Sequence, residues 1–216
     1  MLDTYRHKGL RKRMVDALRR RGISDEGVLA AMAAVPRHFF LEKAFEEHAY
    51  EDKPFPIGFE QTISQPYTVA YQTSLLEVKN GDRILEIGTG SGYQAAILAV
   101  LGAKVFSIER QEGLYEQAKS LLGRMGFSTI RCFYGDGTKG LSRHAPFDKI
   151  LVTAGAPVVP SALKEQLNLC GMLVIPVGEG VQTMLRVTRT APHTYREEEL
   201  GNFRFVPFLE GTQGRR

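Results

Sequence analysis

Residues 83–93 read RILEIGTGSGY. A five-residue strand pattern, Arg83 to Ile87, closes on three glycines at alternate positions, and a helix-periodic stretch follows at once from Tyr93. That order constrains the fold more than any other stretch of the chain. Glycines between a strand and a helix permit φ > 0 and let the backbone approach a ligand at a helix N-terminus. The texture then repeats. Lys104 to Ile108, Thr129 to Phe133, Lys149 to Thr153 and Met172 to Val177 read as strands, and Gln111 to Met125 and Ser161 to Leu167 as helices. This alternation predicts an α/β fold, a mostly parallel sheet covered by helices on both faces. Beyond Gly180, Thr183 to Thr190 and Asn202 to Phe208 read as antiparallel C-terminal strands, with Arg196 to Glu199 as a charged turn between them.

Residues 1–80 have a different texture. Leu10, Met14 and Leu18 share a helix face, and Gly22 stops that helix. Ser24 reads as the cap of a second helix, with Asp25 and Glu26 in its first turn and an end before Pro36. Pro54 and Pro56 impose a loop. Pro66 suits the first position of a third helix, capped by Gln65, whose buried side would carry Val69, Thr73 and Leu76. The expected organisation is one compact domain: an N-terminal helical segment and substrate-side loop over residues 1–80, then a Rossmann-like core over 81–216.

Several function classes are disfavoured. The longest apolar stretches, Val28 to Pro36 and Ala95 to Ala103, fall well short of the ~20 residues of a membrane span. No apolar leader precedes the charged start, so a cytoplasmic protein is expected. Cys132 and Cys170 form neither a disulfide framework nor a CxxC site, and the five histidines lack metal-binding spacing. No metal is expected, and the histidines read as surface or capping residues. The first 21 residues hold eight Lys or Arg against two acids, within a chain of net charge +4. A solvated helix face is the favoured reading, with a nucleic-acid contact as the rival.

The glycine loop defines a candidate cofactor site: Gly88, Gly90 and Gly92, with Glu86 just before them. Glu109 ends the second strand, where a carboxylate can accept both ribose hydroxyls. Asp136 and Gly137 follow the third strand, where a short acid can reach an adenine amino group or simply cap a turn. A dinucleotide and S-adenosylmethionine both suit this constellation. The spacing is GxGxG, with Tyr93 where a dinucleotide pattern places glycine, and the loop lies some 80 residues into the chain. Both facts favour S-adenosylmethionine, with Glu86 facing its ammonium group.

The acceptor class should leave marks. The chain has no Asn/Asp-Pro-Pro-aromatic box for adenine, no Pro-Cys nucleophile for cytosine and no G-x-S-x-G serine. A carboxylate acceptor needs none of these, being ionised at neutral pH. It needs neutral hydrogen-bond donors, which directs attention to Ser64 in Gln61-Thr62-Ile63-Ser64-Gln65-Pro66.

That segment, with Val35-Pro36-Arg37-His38-Phe39, Gly135-Asp136-Gly137, Ala154-Gly155-Ala156-Pro157-Val158-Val159-Pro160, Leu173-Val174-Ile175-Pro176-Val177-Gly178 and Arg204-Phe205-Val206-Pro207-Phe208, closely resembles the protein-L-isoaspartate (D-aspartate) O-methyltransferase family. The likeness runs from about Val35 to Gln213. It implies the S-adenosylmethionine-dependent methyltransferase fold and S-adenosylmethionine as cofactor, with S-adenosylhomocysteine as product. The implied partners are proteins and peptides containing L-isoaspartyl, and by extension D-aspartyl, residues, whose free α-carboxylate is methylated. The ester then closes to a succinimide, and hydrolysis restores some normal aspartate. Ser64 inherits a role beside the donor methyl and the substrate carboxylate; Thr62, Ile63 and Gln65 shape the mouth of the site; Val206 holds the peptide through its backbone. Neither nucleic acid nor membrane is an expected partner, and the enzyme is expected to be a monomer. The alternative is a methyltransferase with another acceptor, such as RNA. One departure stands out: Cys170-Gly171 occupies a turn where the family usually shows Gly-Gly, and cysteine tolerates φ > 0 poorly.

Overall fold

A computed structural model describes residues 2–214. The N-terminal third is helical. Helix α1 (Tyr5–Arg20) opens with a capping box in which Thr4 accepts from the His7 N–H and the His7 ring accepts from the Thr4 N–H. It buries Met14, Val15 and Leu18, and the chain leaves it through Gly22 at φ +96°. Helix α2 (Glu26–Ala34) is capped by Asp25, not Ser24 as expected; the Asp25 carboxylate accepts from the Val28 N–H at 3.0 Å. An ionised carboxylate is the stronger acceptor for the orphan amides of a first turn. A short hairpin of β1 (Phe55–Pro56) and β2 (Thr62–Ile63) leads into α3 (Pro66–Leu76), which carries proline at its first position and buries Val69, Thr73 and Leu76.

From Arg83 onward the chain builds one seven-stranded sheet: β3 (Arg83–Ile87), β4 (Lys104–Glu109), β5 (Arg131–Tyr134), β6 (Phe147–Val152), β7 (Leu167–Val177), β8 (Gln182–Ala191) and β9 (Thr194–Phe203). The spatial order is β5-β4-β3-β6-β7-β8-β9. The first five are mutually parallel, and β8 and β9 fold back antiparallel. Helices α4 (Tyr93–Val100), α5 (Glu112–Arg124) and α6 (Ser161–Glu165) connect the parallel strands. Alternation along β3 splits the core between the two faces. Ile84 joins Leu18, Met32, Leu76, Val105, Leu151 and Val174 on one side, whereas Leu85 and Ile87 join Phe106, Phe147, Ile150 and Leu163 on the other. The first cluster therefore mixes residues from the N-terminal helices with residues from the sheet.

The C-terminal end corrects two expectations. Arg196 to Glu199 do not form a turn; they lie within β9, and the chain reverses at Pro192 and His193, the latter at φ +63°. β9 is an edge strand, where charged side chains keep contact with water, and Glu198 pairs with Arg186 on β8 at 3.0 Å. Residues 204–208 are a single extended segment rather than part of a strand, tied to the sheet by Gly155 N–H to Val206 C=O and Phe208 N–H to Gly155 C=O, both 2.8 Å. β7 is longer than expected because it begins at Leu167, passing Cys170 at φ +62°.

Among the described residues, four of the eight basic residues at the start of the chain are paired, three of them at exposed positions. Arg6, Arg11, Arg19 and Arg21 pair with Glu47, Asp3, Glu26 and Asp52. His38 is buried rather than on the surface, its Nδ1 2.7 Å from the Tyr50 hydroxyl. Asp3, His7 and His38 bring potential ligand atoms within 4.8 Å of one another, but Arg11 already donates to both oxygens of Asp3. Among the described residues no helix is long and apolar enough to cross a membrane.

Candidate active site

The C-terminal ends of the parallel strands β3, β4 and β6 meet along one edge of the sheet, where α/β folds bind ligands. Two narrow cavities and one wide cleft open there. The first cavity, about 60 Å³, is lined by Gly88, Gly90, Glu109, Gly137, Thr153 and Val206 among others. The second, about 40 Å³, runs under the glycine loop between Ile63, Ser64, Thr89 and Ser91. The cleft, about 800 Å³, is lined by Thr62, Ser64, Gln65, Tyr67, Tyr71, Thr153 and residues 200–206. Thr62 and Thr153 belong to all three.

The glycines are needed where they stand. Gly88, Gly90 and Gly92 take φ of +93°, +52° and +87°. A Cβ on Gly88 would sit 2.6 Å from the Thr153 hydroxyl, and one on Gly137 would collide with Ile87. Thr153 lies within 3.0 Å of the Ile87 and Gly88 carbonyls, to which its hydroxyl can donate. It therefore braces the loop while facing both spaces.

Glu109 lies at the bottom of the first cavity. Its Oε2 accepts from the Gly90 N–H and its Oε1 from the Gln111 N–H, each at 2.9 Å. Burial pushes its pKa up against those backbone hydrogen bonds. Each oxygen keeps a second lone pair for a ligand hydroxyl. Asp136 is placed differently. Its carboxylate accepts from the Thr138 N–H and hydroxyl, at 3.0 and 2.7 Å, and so caps the turn at 137–139. Burial opposes its ionisation, but the Thr138 and Gly211 hydrogen bonds win and hold its pKa low. The neighbouring Gly137, not the Asp136 side chain, lines the cavity.

Glu86 lines neither cavity. It is fully buried, and accepts from the Ser107 hydroxyl at 2.5 Å, which in turn lies 2.6 Å from the Thr89 hydroxyl. Its second oxygen has no partner among the described residues. Burial pushes its pKa up to about 8, against the Ser107 hydrogen bond and with help from nearby Glu109. The residue supports the glycine loop from beneath.

Ser64 faces both the second cavity and the cleft. Among the described residues its hydroxyl has no hydrogen-bond partner, while its carbonyl accepts from Arg37 at 2.8 Å. Ile63 is buried on β2, and Gln65 is the N-cap of α3 without a side-chain capping bond. The Val206 carbonyl is taken by Gly155, whereas its N–H faces no acceptor among the described residues. Free donors thus flank the cleft on two sides.

The model of the family "Protein-L-isoaspartate(D-aspartate) O-methyltransferase (PCMT)" matches residues 9–213. The chain belongs to this family. A protein-L-isoaspartate O-methyltransferase of Christiangramia forsetii is 55% identical over 97% of this chain and 99% of its own length. One of Flavobacterium psychrophilum is 52% identical over the same shares. A solved protein-L-isoaspartate O-methyltransferase superposes with TM-score 0.85 at 29% identity, over 94% of this chain and 67% of that one. A Plasmodium falciparum structure, described as a beta-aspartate methyltransferase (PCMT) in complex with S-adenosyl-L-homocysteine, gives 0.82 at 25% identity, over 92% and 98%. The residues here fit S-adenosylmethionine: a glycine cradle that side chains would fill, with a buried carboxylate beside it.

Two further residues lie at the site. Thr153 ends a strand in the sequence, and strand ends on this edge are where ligands sit. Arg37 stands in Val35-Pro36-Arg37-His38-Phe39, and nothing in its spacing signals that it touches Ser64.

Proposed function

We propose that this chain transfers the methyl group of S-adenosylmethionine to the free α-carboxylate of L-isoaspartyl residues, and of D-aspartyl residues, in damaged proteins. The observation that carries the reading is the unpartnered Ser64 hydroxyl, placed where the glycine-loop cavity opens into the peptide-sized cleft. When bound, S-adenosylmethionine supplies an electrophilic methyl on a sulfonium. Gly88, Gly90, Gly92 and Gly137 provide the close backbone approach, Glu109 accepts the ribose hydroxyls, and Asp136 orders the turn beside the adenine. Glu86 acts through Ser107 and Thr89 on the loop that faces the amino-acid part. Ser64 donates to the acceptor carboxylate without neutralising it, so the oxygen lone pair stays available. Thr62, Ile63 and Gln65 wall that position, and the free Val206 N–H holds the peptide backbone. A carboxylate oxygen so aligned forms the C–O bond as the C–S bond breaks, and the opposite charges annul each other. Alignment and exclusion of water are the protein's main contributions.

The methyl ester leaves as a better electrophile than the acid. Attack by the neighbouring backbone nitrogen breaks the acyl C–O bond and releases methanol, giving a succinimide whose hydrolysis returns part of the population to normal aspartate. The reading includes a cytoplasmic monomer forming one compact domain, with residues 1–80 mainly on the acceptor side and 81–216 carrying the donor. Mixing of both parts in one core cluster supports a single domain.

The decisive experiment uses one peptide in isoaspartyl and aspartyl forms with methyl-labelled S-adenosylmethionine. Base-labile label on the isoaspartyl form alone is expected. Label on neither, with donor binding intact, would overturn the acceptor assignment.

A further inference from the structure

Arg37 has the largest of the fully buried side chains, and it has no acidic partner among the described residues. Its Nε donates to the Ala49 carbonyl at 2.9 Å and one terminal nitrogen to the Ser64 carbonyl at 2.8 Å. The other terminal nitrogen has no acceptor among the described residues. The guanidinium lies 5.0 Å from the centre of the Tyr93 ring, at the first residue after the glycine loop. A buried cation without a counter-charge is costly, by several kcal/mol. Proteins normally remove such a charge or pair it; here two neutral carbonyls hold it in place and leave its field uncancelled.

The direction of that field follows from the partners. Ser64 joins Arg37 to the acceptor position. Helix α3 starts two residues later, with its positive end on the same side. Both sources of positive potential converge on the residue whose free hydroxyl faces the cleft. We propose that Arg37 is a positioning residue for the acceptor: through the Ser64 carbonyl it fixes that loop, and its unpaired charge, kept one residue away from contact, favours a bound carboxylate over a neutral group. Distance is part of the function. A direct bidentate ion pair would hold the carboxylate through the very lone pairs that must attack the methyl carbon, whereas a buried charge behind a hydroxyl stabilises the anion without occupying them. Burial pushes the Arg37 pKa down to about 10, so it stays protonated at neutral pH.

The inference rests on Ser64 lying at the acceptor position, and its test separates the two. Full-length protein saturated with S-adenosylhomocysteine, which carries no sulfonium charge, is titrated with an isoaspartyl peptide and with its isoasparaginyl analogue, a carboxamide in place of the carboxylate. The wild type should prefer the carboxylate by at least about tenfold. Arg37→Gln should abolish that preference while binding the carboxamide peptide and S-adenosylhomocysteine within about twofold of wild type, and Arg37→Lys should keep part of it. Equal weakening of both peptides would reduce Arg37 to a structural role and overturn the proposal, as would a preference retained in Arg37→Gln. Ser64→Ala binding both peptides like the wild type would remove the Ser64 assignment instead. Should Arg37→Gln fail to fold, the wild type still decides. The ¹³C-labelled carboxyl of the bound isoaspartyl peptide should titrate at least about tenfold more acidic than that of the free peptide; a value at or above the free one sinks the idea.

Discussion

Replacing Glu86 by glutamine should change how stability depends on pH more than stability itself. The carboxyl is fully buried, with one oxygen accepting from Ser107 and the other unpartnered. Burial raises its pKa from 4.5 to about 8. The native state therefore keeps a proton that the unfolded chain has already lost. Stability from this group is complete below the unfolded value and declines as pH rises toward the folded value. The slope is about 1.4 kcal/mol per pH unit while the native carboxyl stays protonated. From about pH 6 to about pH 8 the loss sums to about 2 kcal/mol, the last part being smaller because Glu86 is then half ionised. For a chain of this size that corresponds to roughly 5–9 °C in melting temperature. Glutamine is nearly isosteric with the protonated acid and still accepts from Ser107, but has no proton to lose. Calorimetric melts of wild type and Glu86→Gln from about pH 4 to about pH 8 should converge at the acidic end, at or below the unfolded value of 4.5, and separate steadily toward the basic end, the variant being the more stable. Parallel curves would show that Glu86 is ionised throughout, and the account of a neutral carboxyl under the loop would fail.

Other expectations are simpler. Ser64→Ala should lower turnover on an isoaspartyl peptide by about 10- to 100-fold, the size of a lost hydrogen bond to a charged group, with S-adenosylmethionine affinity within about twofold; a matching loss of donor affinity by calorimetry would move Ser64 to the donor side. Glu109→Ala should weaken the donor by roughly a hundredfold, since it removes both the ribose acceptor and the anchor of the Gly90 N–H; unchanged affinity would exclude Glu109 from the donor site. Cys170→Gly should raise stability by about 1 kcal/mol by relieving a side chain held at φ +62°, and a melting temperature that stays level or drops would show that this position of β7 carries no strain.

The sheet was legible because hydrophobic runs and glycine punctuation are local signals. β3 emerged with the expected ends, since Arg83 opens it and Gly88 must stop it. The errors arose where a choice depends on neighbours. Ser24 and Asp25 both suit a cap, and only the approach of Val28 decides between them. Arg196 to Glu199 look like a turn until Arg186 on the adjoining strand supplies a partner. In the candidate site, the placing of Glu109 on the cavity is legible because it ends a strand, and strand ends follow from sheet order alone. Glu86 was found for the wrong contact: residue alternation sends its side chain beneath the loop, toward Ser107 on the next strand. The link from Arg37 to Ser64 spans 27 residues and has no periodic signature.

The narrowness of the two donor cavities bears on time as well as shape. At about 60 and 40 Å³ they would enclose only part of an adenosyl group, and both open outward. Their outer walls are formed by Gln61 and Thr62 on one side and Val206 to Leu209 on the other. The first wall hangs from Gly58, Phe59 and Glu60, three consecutive residues in left-handed backbone conformation, two of which would relax if the loop swung out. A transient parting of these walls would widen the path along which donor and product exchange. Residence of the product, set by how often that parting occurs, then becomes a natural limit on how fast the enzyme can cycle.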